Sequence, residues 1–268
     1  MMQTGTRNDE IVRVLSKGLI EPKVSVVGCG GAGNNIVHSI YWSCKNSVET
    51  VAVNTDESKL EKIDSHKKIL IGKDVTHGKG AGGFPEVGEH CAECARAAIK
   101  EVLKDSDIVF IVAGMGGGTG TGAAPVVAEV ARDLDAVTFA IAINPFSHEK
   151  NRQKVASAGI KKLRESAGTT IVLDNDQLLN IAGDITVAES FCIMERSITK
   201  IIDSVCNKIT ESFITEIAAD VAEVLREAEE ENAVIENVME PNPLAEIVAA
   251  KAAGEIPFQD ISPELISR

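Results

Sequence analysis

The sequence has few aromatic residues, fewer basic than acidic residues, and no long apolar run. Aromatic side chains make up 3% of its 268 residues, and 27 Lys and Arg stand against 40 Asp and Glu, which gives a formal net charge of −13. A nucleic-acid-binding surface needs basic residues, and a single-strand binder needs aromatic rings on which bases stack. The composition therefore argues against a protein that binds nucleic acid.

The sequence also lacks segments that would insert into a membrane or direct secretion. Its apolar runs are shorter than the roughly 18 residues of a membrane span. Residues 1–10 are polar and have no signal-peptide core. Six cysteines in a chain of this length do not resemble a secreted disulfide framework. We therefore expect a cytoplasmic protein with reduced thiols and no direct membrane insertion.

Six short runs rich in Val and Ile predict the strands of a mostly parallel sheet. They are apolar on both faces, as strands are when helices cover both sides of a sheet. The runs are residues 24–27, 51–54, 69–71, 108–113, 138–143 and 169–173. Because helical or loop stretches alternate with these runs, the pattern predicts a doubly wound α/β fold.

The rest of the chain predicts helices. Apolar residues recur on one helical face near the start, and every three or four residues from Phe191 to Ile209. After them the sequence is acidic and then broken by prolines, without a convincing set of strands. We expect a leading helix in residues 1–21, an α/β domain over 22–187, a long helix over 188–213 and a helical tail over 214–268.

Three glycine-rich stretches, at residues 28–33, 72–86 and 116–122, predict a polyphosphate ligand. Gly28, Gly30 and Gly33 satisfy the G-x-G-x-x-G pattern of a dinucleotide site, although a tight turn without a ligand would satisfy it too. Residues 116–122 read Gly-Gly-Gly-Thr-Gly-Thr-Gly, between a strand and a helix expected to carry Pro125 in its first turn. Such a loop lets backbone N–H groups close on an anion, and its two threonine hydroxyls add hydrogen bonds.

These motifs resemble those of the tubulin/FtsZ superfamily, in particular its prokaryotic FtsZ branch. The resemblance rests on residues 116–122, 30–34 (Gly-Gly-Ala-Gly-Asn), 54–56 (Asn-Thr-Asp) and 80–86, where Phe84 stands at a usually small or polar position. It implies a guanine nucleotide, GTP or GDP, rather than NAD. It also implies that Mg²⁺ accompanies GTP, held largely by phosphate oxygens and water rather than by protein groups.

The resemblance covers roughly residues 22–217 and implies a set of nucleotide contacts. Glu149 and Arg152 match the segment that contacts the ribose, while Asn175, Phe191 and Glu195 match the positions that contact guanine. Glu195 stands where the family normally has Asp, so the carboxylate is one methylene further out. The predicted nucleotide-binding residues are Gly30, Gly31, Ala32, Gly33, Asn34, Asp56, Gly82, Gly117, Gly118, Thr119, Gly120, Thr121, Glu149, Arg152, Asn175, Phe191 and Glu195.

The sequence departs from the family where hydrolysis is completed. In FtsZ proteins the long helix leads into a loop of pattern Asn-x-Asp-x-x-Asp, which enters the next subunit's site and helps to position the attacking water. Here residues 213–220 correspond, with Ile217 at the first Asp position, so Asp220 and Glu216 are the candidate catalytic residues. An isoleucine cannot orient a water. We also expect the family's second domain to be missing or replaced.

Several functions remain open. We expect a guanine-nucleotide-binding protein that self-associates as a dimer or filament and hydrolyses GTP slowly or not at all. An active polymerising GTPase of the cytoskeleton or cell division is the second hypothesis. A non-hydrolysing regulator that binds another FtsZ filament, or a dinucleotide binder, is the third. His90, Cys91 and Cys94 have the makings of a metal site, but no second pair follows at matching spacing, so packing is the expected role.

Overall fold

The computed structural model describes residues 22–43, 48–177 and 186–238. The described residues fall into two units, residues 22–212 in the larger and residues 213–238 in the smaller. The leading helix expected in residues 1–21 and the tail beyond residue 238 lie outside the described residues. In the part of the chain that is described, no helix is both long enough and apolar enough to cross a membrane.

The larger unit contains a six-stranded sheet in which every neighbouring pair is parallel, in the order β3-β2-β1-β4-β5-β6. This arrangement confirms the predicted α/β fold. Each of the six apolar runs forms a strand. The strands are β1 (Val24–Cys29), β2 (Glu49–Asn54), β3 (Lys67–Leu70), β4 (Ile108–Gly114), β5 (Val137–Asn144) and β6 (Thr169–Asp174).

Helices connect the strands and cover both faces of the sheet. Their bounds are α1 (Gly30–Ser43), α2 (Glu57–Glu61), α3 (Lys73–Thr76), α4 (Pro85–Cys94), α5 (Arg96–Leu103), α6 (Gly118–Arg132), α7 (Lys150–Ser166) and α8 (Val187–Val238). One buried cluster contains side chains of α4 to α7, and the other contains side chains of α1, α2 and α8. The sheet is thus enclosed between two apolar layers, as continuous Val- and Ile-rich strands require.

Helix α8 begins with a reciprocal cap that the sequence analysis did not predict. The Thr186 hydroxyl accepts a hydrogen bond from the Glu189 N–H (3.2 Å), and the Glu189 carboxylate accepts from the Thr186 N–H (2.8 Å). This capping box satisfies backbone donors that a helix start leaves unpaired. The hydrogen bonds that the Glu189 carboxylate accepts from the Thr186 N–H and from the Thr186 hydroxyl favour its charged form and lower its pKa.

Helix α6 begins earlier than the sequence analysis predicted, so the expectation for Pro125 is wrong. The helix starts at Gly118 and Pro125 lies in its interior. The early start follows from close packing. A Cβ on Gly120 would lie 2.6 Å from the carbonyl oxygen of Gly114, and one on Gly122 would collide with Pro85. Glycines therefore let the first turns of this helix lie directly against β4 and α4.

Candidate functional site

The glycine-rich loops meet at one edge of the sheet and enclose a cavity of about 390 Å³. They follow β1, β3 and β4, and the carboxyl ends of parallel strands share one edge. We call this space the glycine-lined cavity. Its lining residues are Gly31, Ala32, Asn54, Asp56, Lys59, Lys79, Gly80, Ala81, Gly82, Gly83, Gly114, Gly117, Gly118, Thr119, Gly120 and Arg152.

Two helix N-termini converge on this cavity. Gly30 begins α1 with a positive φ of 72°, and a Cβ on it would lie 2.7 Å from the amide nitrogen of Gly120 in α6. Only a glycine combines that backbone conformation with that spacing. The first N–H groups of a helix have no partner within it and carry partial positive charge. The convergence therefore favours an anion in the cavity.

Four of the predicted residues lie beneath the loops rather than on the cavity surface: Gly30, Gly33, Asn34 and Thr121 are buried. With its nitrogen facing the carbonyls, the Asn34 amide donates to the Gly28 oxygen (2.7 Å) and accepts from Asn54 Nδ2 (2.9 Å). The Thr121 hydroxyl accepts from the Gly116 N–H (2.9 Å). These side chains fasten the loops to each other and to themselves.

The Cys29 thiol, directly before the first loop, is also buried. Burial raises the pKa of Cys29 to about 12, because desolvation disfavours the thiolate. The thiol therefore stays neutral at physiological pH and adds no negative charge beneath the cavity.

The second loop, residues 54–56, brings Asp56 to the cavity and links it to the third loop, residues 80–86. The Thr55 and Thr119 hydroxyls are hydrogen bonded at 2.6 Å, which joins this loop to α6. The Asp56 carboxylate caps α2 by accepting the Lys59 N–H at 3.1 Å. Gly80 donates its N–H to the Thr55 carbonyl at 3.1 Å. The loops after β2 and β3 thus form one frame.

Arg152 closes the cavity from the side of α7. Its Nη1 donates to Glu149 Oε2 at 2.5 Å, and its Nε lies 3.4 Å from the carbonyl oxygen of Gly116. A Cβ on Gly116 would lie 2.9 Å from the Arg152 Cβ, and Gly116 has a φ of 90°. Of the two residues predicted to hold the ribose, Arg152 lines the cavity, and Glu149 orients the Arg152 side chain.

A second cavity, of about 250 Å³, contains Phe191 and Glu195; we call it the Phe191 cavity. Ala32 lines both cavities, so they adjoin. Phe191 is 45% exposed and meets Phe146 edge to face, with ring centroids 6.2 Å apart. The Ser39 hydroxyl donates to Glu195 Oε2 at 2.9 Å. An exposed ring beside an oriented carboxylate suits a flat ligand with hydrogen-bond donors on its edge.

Asn175, which directly follows β6, is 6% exposed and lines neither cavity. Its neighbour Asp176 accepts the Ser147 N–H at 2.9 Å, which anchors the loop after β5.

The two candidate catalytic residues lie on α8, in the smaller unit. Residues 213–220, which the resemblance aligns with a loop of FtsZ proteins, are helical. Glu216 and Asp220 are exposed, and their four-residue spacing sets both carboxylates on one face of the helix.

Lys59 and Lys79 line the glycine-lined cavity, although the sequence analysis did not select them. Each lies close to a recognised motif but outside it, at the start of α2 and just before Gly80. Their closeness in sequence to Asp56 and Gly80 is the feature from which their place in the cavity could have been predicted.

The His90, Cys91 and Cys94 cluster has mixed surroundings. Cys91 is buried in the core beside Gly72, while Cys94 is exposed with its Sγ 3.8 Å from His90 Nε2. Burial raises the pKa of the Cys91 thiol. Among the described residues, no group of three or more His, Cys, Asp or Glu is arranged to hold a metal ion.

Comparison with known proteins identifies the family. The model of the "Tubulin/FtsZ family, GTPase domain" matches residues 23–183. The chain is 40% identical over 242 residues to cell division protein FtsZ 2 of Halobacterium salinarum, a match that covers 90% of this chain and 61% of that protein. It is 39% identical over 226 residues to FtsZ 2 of Methanocaldococcus jannaschii, covering 84% of this chain and 60% of that protein. The chain thus spans about three fifths of the length of these relatives.

Solved structures agree with the sequence matches. An empty FtsZ dimer of M. jannaschii superimposes with a TM-score of 0.70 at 38% identity, covering 76% of this chain and 59% of that one. A GTPγS-bound protofilament of CetZ2 from Haloferax volcanii gives 0.59 at 25% identity, covering 76% and 62%. The glycine-rich loops lie within the matched region. The chain therefore belongs to the tubulin/FtsZ family and carries an FtsZ-like GTPase domain.

Proposed function

We propose that the glycine-lined cavity binds the phosphates of a guanine nucleotide. The observation that carries this proposal is the charge of the cavity. Among the described residues that line it, Lys59, Lys79 and Arg152 stand against one carboxylate, Asp56, in a chain whose net charge is −13. Two helix N-termini add further partial positive charge. A site built this way selects a multiply charged anion against the field of the whole protein.

The base is proposed to occupy the Phe191 cavity. The Phe191 ring offers a face for stacking, and the Glu195 carboxylate can accept from the N1 and N2 hydrogens of guanine. Adenine has no donor at N1, so an oriented acceptor favours guanine. Ser39 supports this role because its hydroxyl fixes one oxygen of Glu195. Asn175 remains a proposed contact to the guanine edge.

A Mg²⁺ ion is proposed to accompany GTP. Mg²⁺ prefers oxygen ligands and keeps several waters, so one carboxylate together with phosphate oxygens is a suitable ligand set. Asp56 is the carboxylate that the described lining of the cavity offers. The ion would neutralise phosphate charge at this position.

Hydrolysis is proposed to be slow or absent, and self-association to occur. Residues 213–220 are helical, and Ile217 occupies a position where the resemblance implies an aspartate. Only Glu216 and Asp220 remain there to orient a water for attack. Self-association is supported by the relatives whose structures are described as a dimer and a protofilament. A cytoplasmic location is proposed to go with this function.

The first experiment identifies the ligand. Purified protein is denatured and its released nucleotides are separated by chromatography, and binding of GDP and ADP is then compared by calorimetry. We expect guanine nucleotide and at least tenfold tighter binding of GDP than of ADP. Recovery of NAD, or equal affinity for the two diphosphates, would contradict the proposal.

Thr119→Arg gives a direct test of the phosphate position. Thr119 lines the cavity and is nearly buried, so an arginine there fills the space that the phosphates need. GDP binding should be lost while the circular dichroism spectrum is retained. Thr169→Arg, at an exposed position on β6, is the matched control and should bind GDP normally.

Phosphate release over a series of protein concentrations separates the remaining functions. Little or no turnover, together with oligomers seen by analytical ultracentrifugation, is the expected result. Steep, cooperative turnover would instead identify an active polymerising GTPase. A monomer that binds nucleotide and is captured by filaments of an authentic FtsZ would identify a regulator.

A further inference from the structure

Lys59 and Lys79 flank Asp56 at one end of the glycine-lined cavity. Lys59 lies in the first turn of α2, with its Nζ 3.3 Å from Asp56 Oδ2. Lys79 is paired with Asp56 by an isolated antiparallel bridge between their backbones. The backbones of both lysines therefore lie beside Asp56, and both side chains are exposed, Lys59 to 69%.

The backbone that carries this group is braced on three sides. The Glu57 N–H donates to the Gly78 carbonyl at 3.0 Å, and the Gly80 N–H donates to the Thr55 carbonyl at 3.1 Å. The Lys79 N–H donates to the Thr76 carbonyl at 3.0 Å. The two lysines are thus held on a connected frame, and not on two independent loops.

The order of the strands assigns this end of the cavity to the terminal phosphate. Asp56 follows β2, whereas Ile143 of the Phe191 cavity lies in β5, and β1 and β4 separate those strands. At about 4.8 Å per strand, the two ends lie roughly 14 Å apart along the sheet edge. A nucleotide whose base lies against Phe191 therefore directs its last phosphate toward Lys59 and Lys79.

We propose that Lys59 and Lys79 bind the terminal phosphate of a nucleoside triphosphate and make the site prefer the triphosphate to the diphosphate. The inference rests on the proposed nucleotide-binding function. Asp56 without a cation would repel the extra charge of a third phosphate. The Lys59 ammonium, 3.3 Å from Asp56 Oδ2, and the Lys79 side chain that lines the same end of the cavity add positive charge there. A lysine supplies that charge without a rigid geometry, as suits a tetrahedral, freely rotating phosphate.

The test is the double substitution Lys59→Gln with Lys79→Gln. Affinities for GDP and for the slowly hydrolysed GTPγS are measured by calorimetry at one fixed ionic strength and Mg²⁺ concentration. Each partly exposed ion pair accounts for about a threefold change in affinity, so the double variant should bind GTPγS about tenfold more weakly. GDP affinity should change less than threefold, because no phosphate of GDP reaches the lysines.

The control variant is Lys62→Gln with Lys100→Gln, which changes the net charge equally at exposed positions outside the cavity. It should retain the preference of the unmodified chain for GTPγS. Thermal melting of both variants checks that they are folded. Equal losses for the two nucleotides, or no loss for either, would overturn the inference while the proposed function stands. Failure of the unmodified chain to bind either nucleotide would overturn the proposed function itself, and the inference with it.

Discussion

Replacing Gly118 by alanine should destabilise the protein, whereas the same change at Gly117 should not. Both glycines line the glycine-lined cavity and both precede or begin α6. A Cβ on Gly118 would lie 2.8 Å from the Ala81 Cβ and 3.0 Å from the Phe84 nitrogen. A Cβ on Gly117 would have nothing within 4 Å, and its φ of −99° suits any residue. Comparing the two variants therefore separates the effect of close packing from the effect of a position beside the cavity.

The expected change in the free energy of unfolding follows from these distances. Carbon atoms in contact prefer about 3.5–4.0 Å, so the loop that contains Ala81 must move by roughly 1 Å. Overpacking of this kind costs about 1–3 kcal/mol. A better helix former at Gly118 returns at most about 1 kcal/mol, and less at a helix start. We expect Gly118→Ala to lower the free energy of unfolding by about 1–2 kcal/mol. Gly117→Ala should change it by less than about 0.5 kcal/mol, because alanine restricts the unfolded chain but is a poorer N-cap than glycine.

The assay is urea denaturation without nucleotide, followed by circular dichroism. Nucleotide is removed because a ligand that binds only the folded state stabilises it. The measured free energy of unfolding would then depend on ligand affinity as well as on packing. If Gly118→Ala were as stable as Gly117→Ala, the close contact between α6 and the third loop would be refuted. A large loss in both variants would refute the open space assigned to Gly117.

Three further outcomes are expected. Thr121→Val should lower the free energy of unfolding by about 1–3 kcal/mol, because it leaves a buried loop N–H without its acceptor; Thr170→Val should be neutral or stabilising, since the Thr170 hydroxyl is buried without a hydrogen-bond partner in the described part of the chain. Burial raises the pKa of Cys29 to about 12, so the contribution of the neutral thiol to the free energy of unfolding is complete below pH 9. Above pH 9 the free energy of unfolding should fall by roughly 1 kcal/mol per pH unit as the pH rises toward 12. Cys29→Ala should remove this part of the alkaline loss of stability in denaturation curves. Phe191→Ala should weaken GDP binding by about 1–3 kcal/mol in calorimetry, while Ile193→Ala, at a similarly exposed position on α8, should not.

The strands and the glycine loops could be predicted from the sequence because each depends on residues close together in the chain. A buried parallel strand needs only a short apolar run, and β4 shows it, with all but the last of its residues buried. The site was harder to predict, because its lining comes from loops after several strands. Lys79 reaches the cavity through a backbone bridge to Asp56, and nothing in the local sequence indicates that pairing.

Packing also decided points that the sequence left open. Residues 118–122 were predicted to belong to a loop, but the absence of side chains on Gly118, Gly120 and Gly122 lets α6 begin at Gly118. Thr121 is predicted to contact phosphate, and in the structure its hydroxyl also accepts the Gly116 N–H, which the local sequence did not indicate. The end of the long helix was set at residue 213 from its apolar period, whereas α8 continues to Val238. Periodicity reports a buried face, and a helix can continue after that face ends.

The side chains beneath the loops affect how a ligand would be received. Asn34, Thr55 and Thr121 hold the loops around the glycine-lined cavity in place through hydrogen bonds within the protein. Little backbone freedom then remains to be lost when an anion arrives, and conformational entropy is a main cost of ordering a loop around a ligand. The amide of Gly116, already bonded to Thr121, should exchange slowly with solvent before any ligand is bound. A ligand that binds in this cavity would therefore meet a preorganised site, and the loops would rearrange little around it.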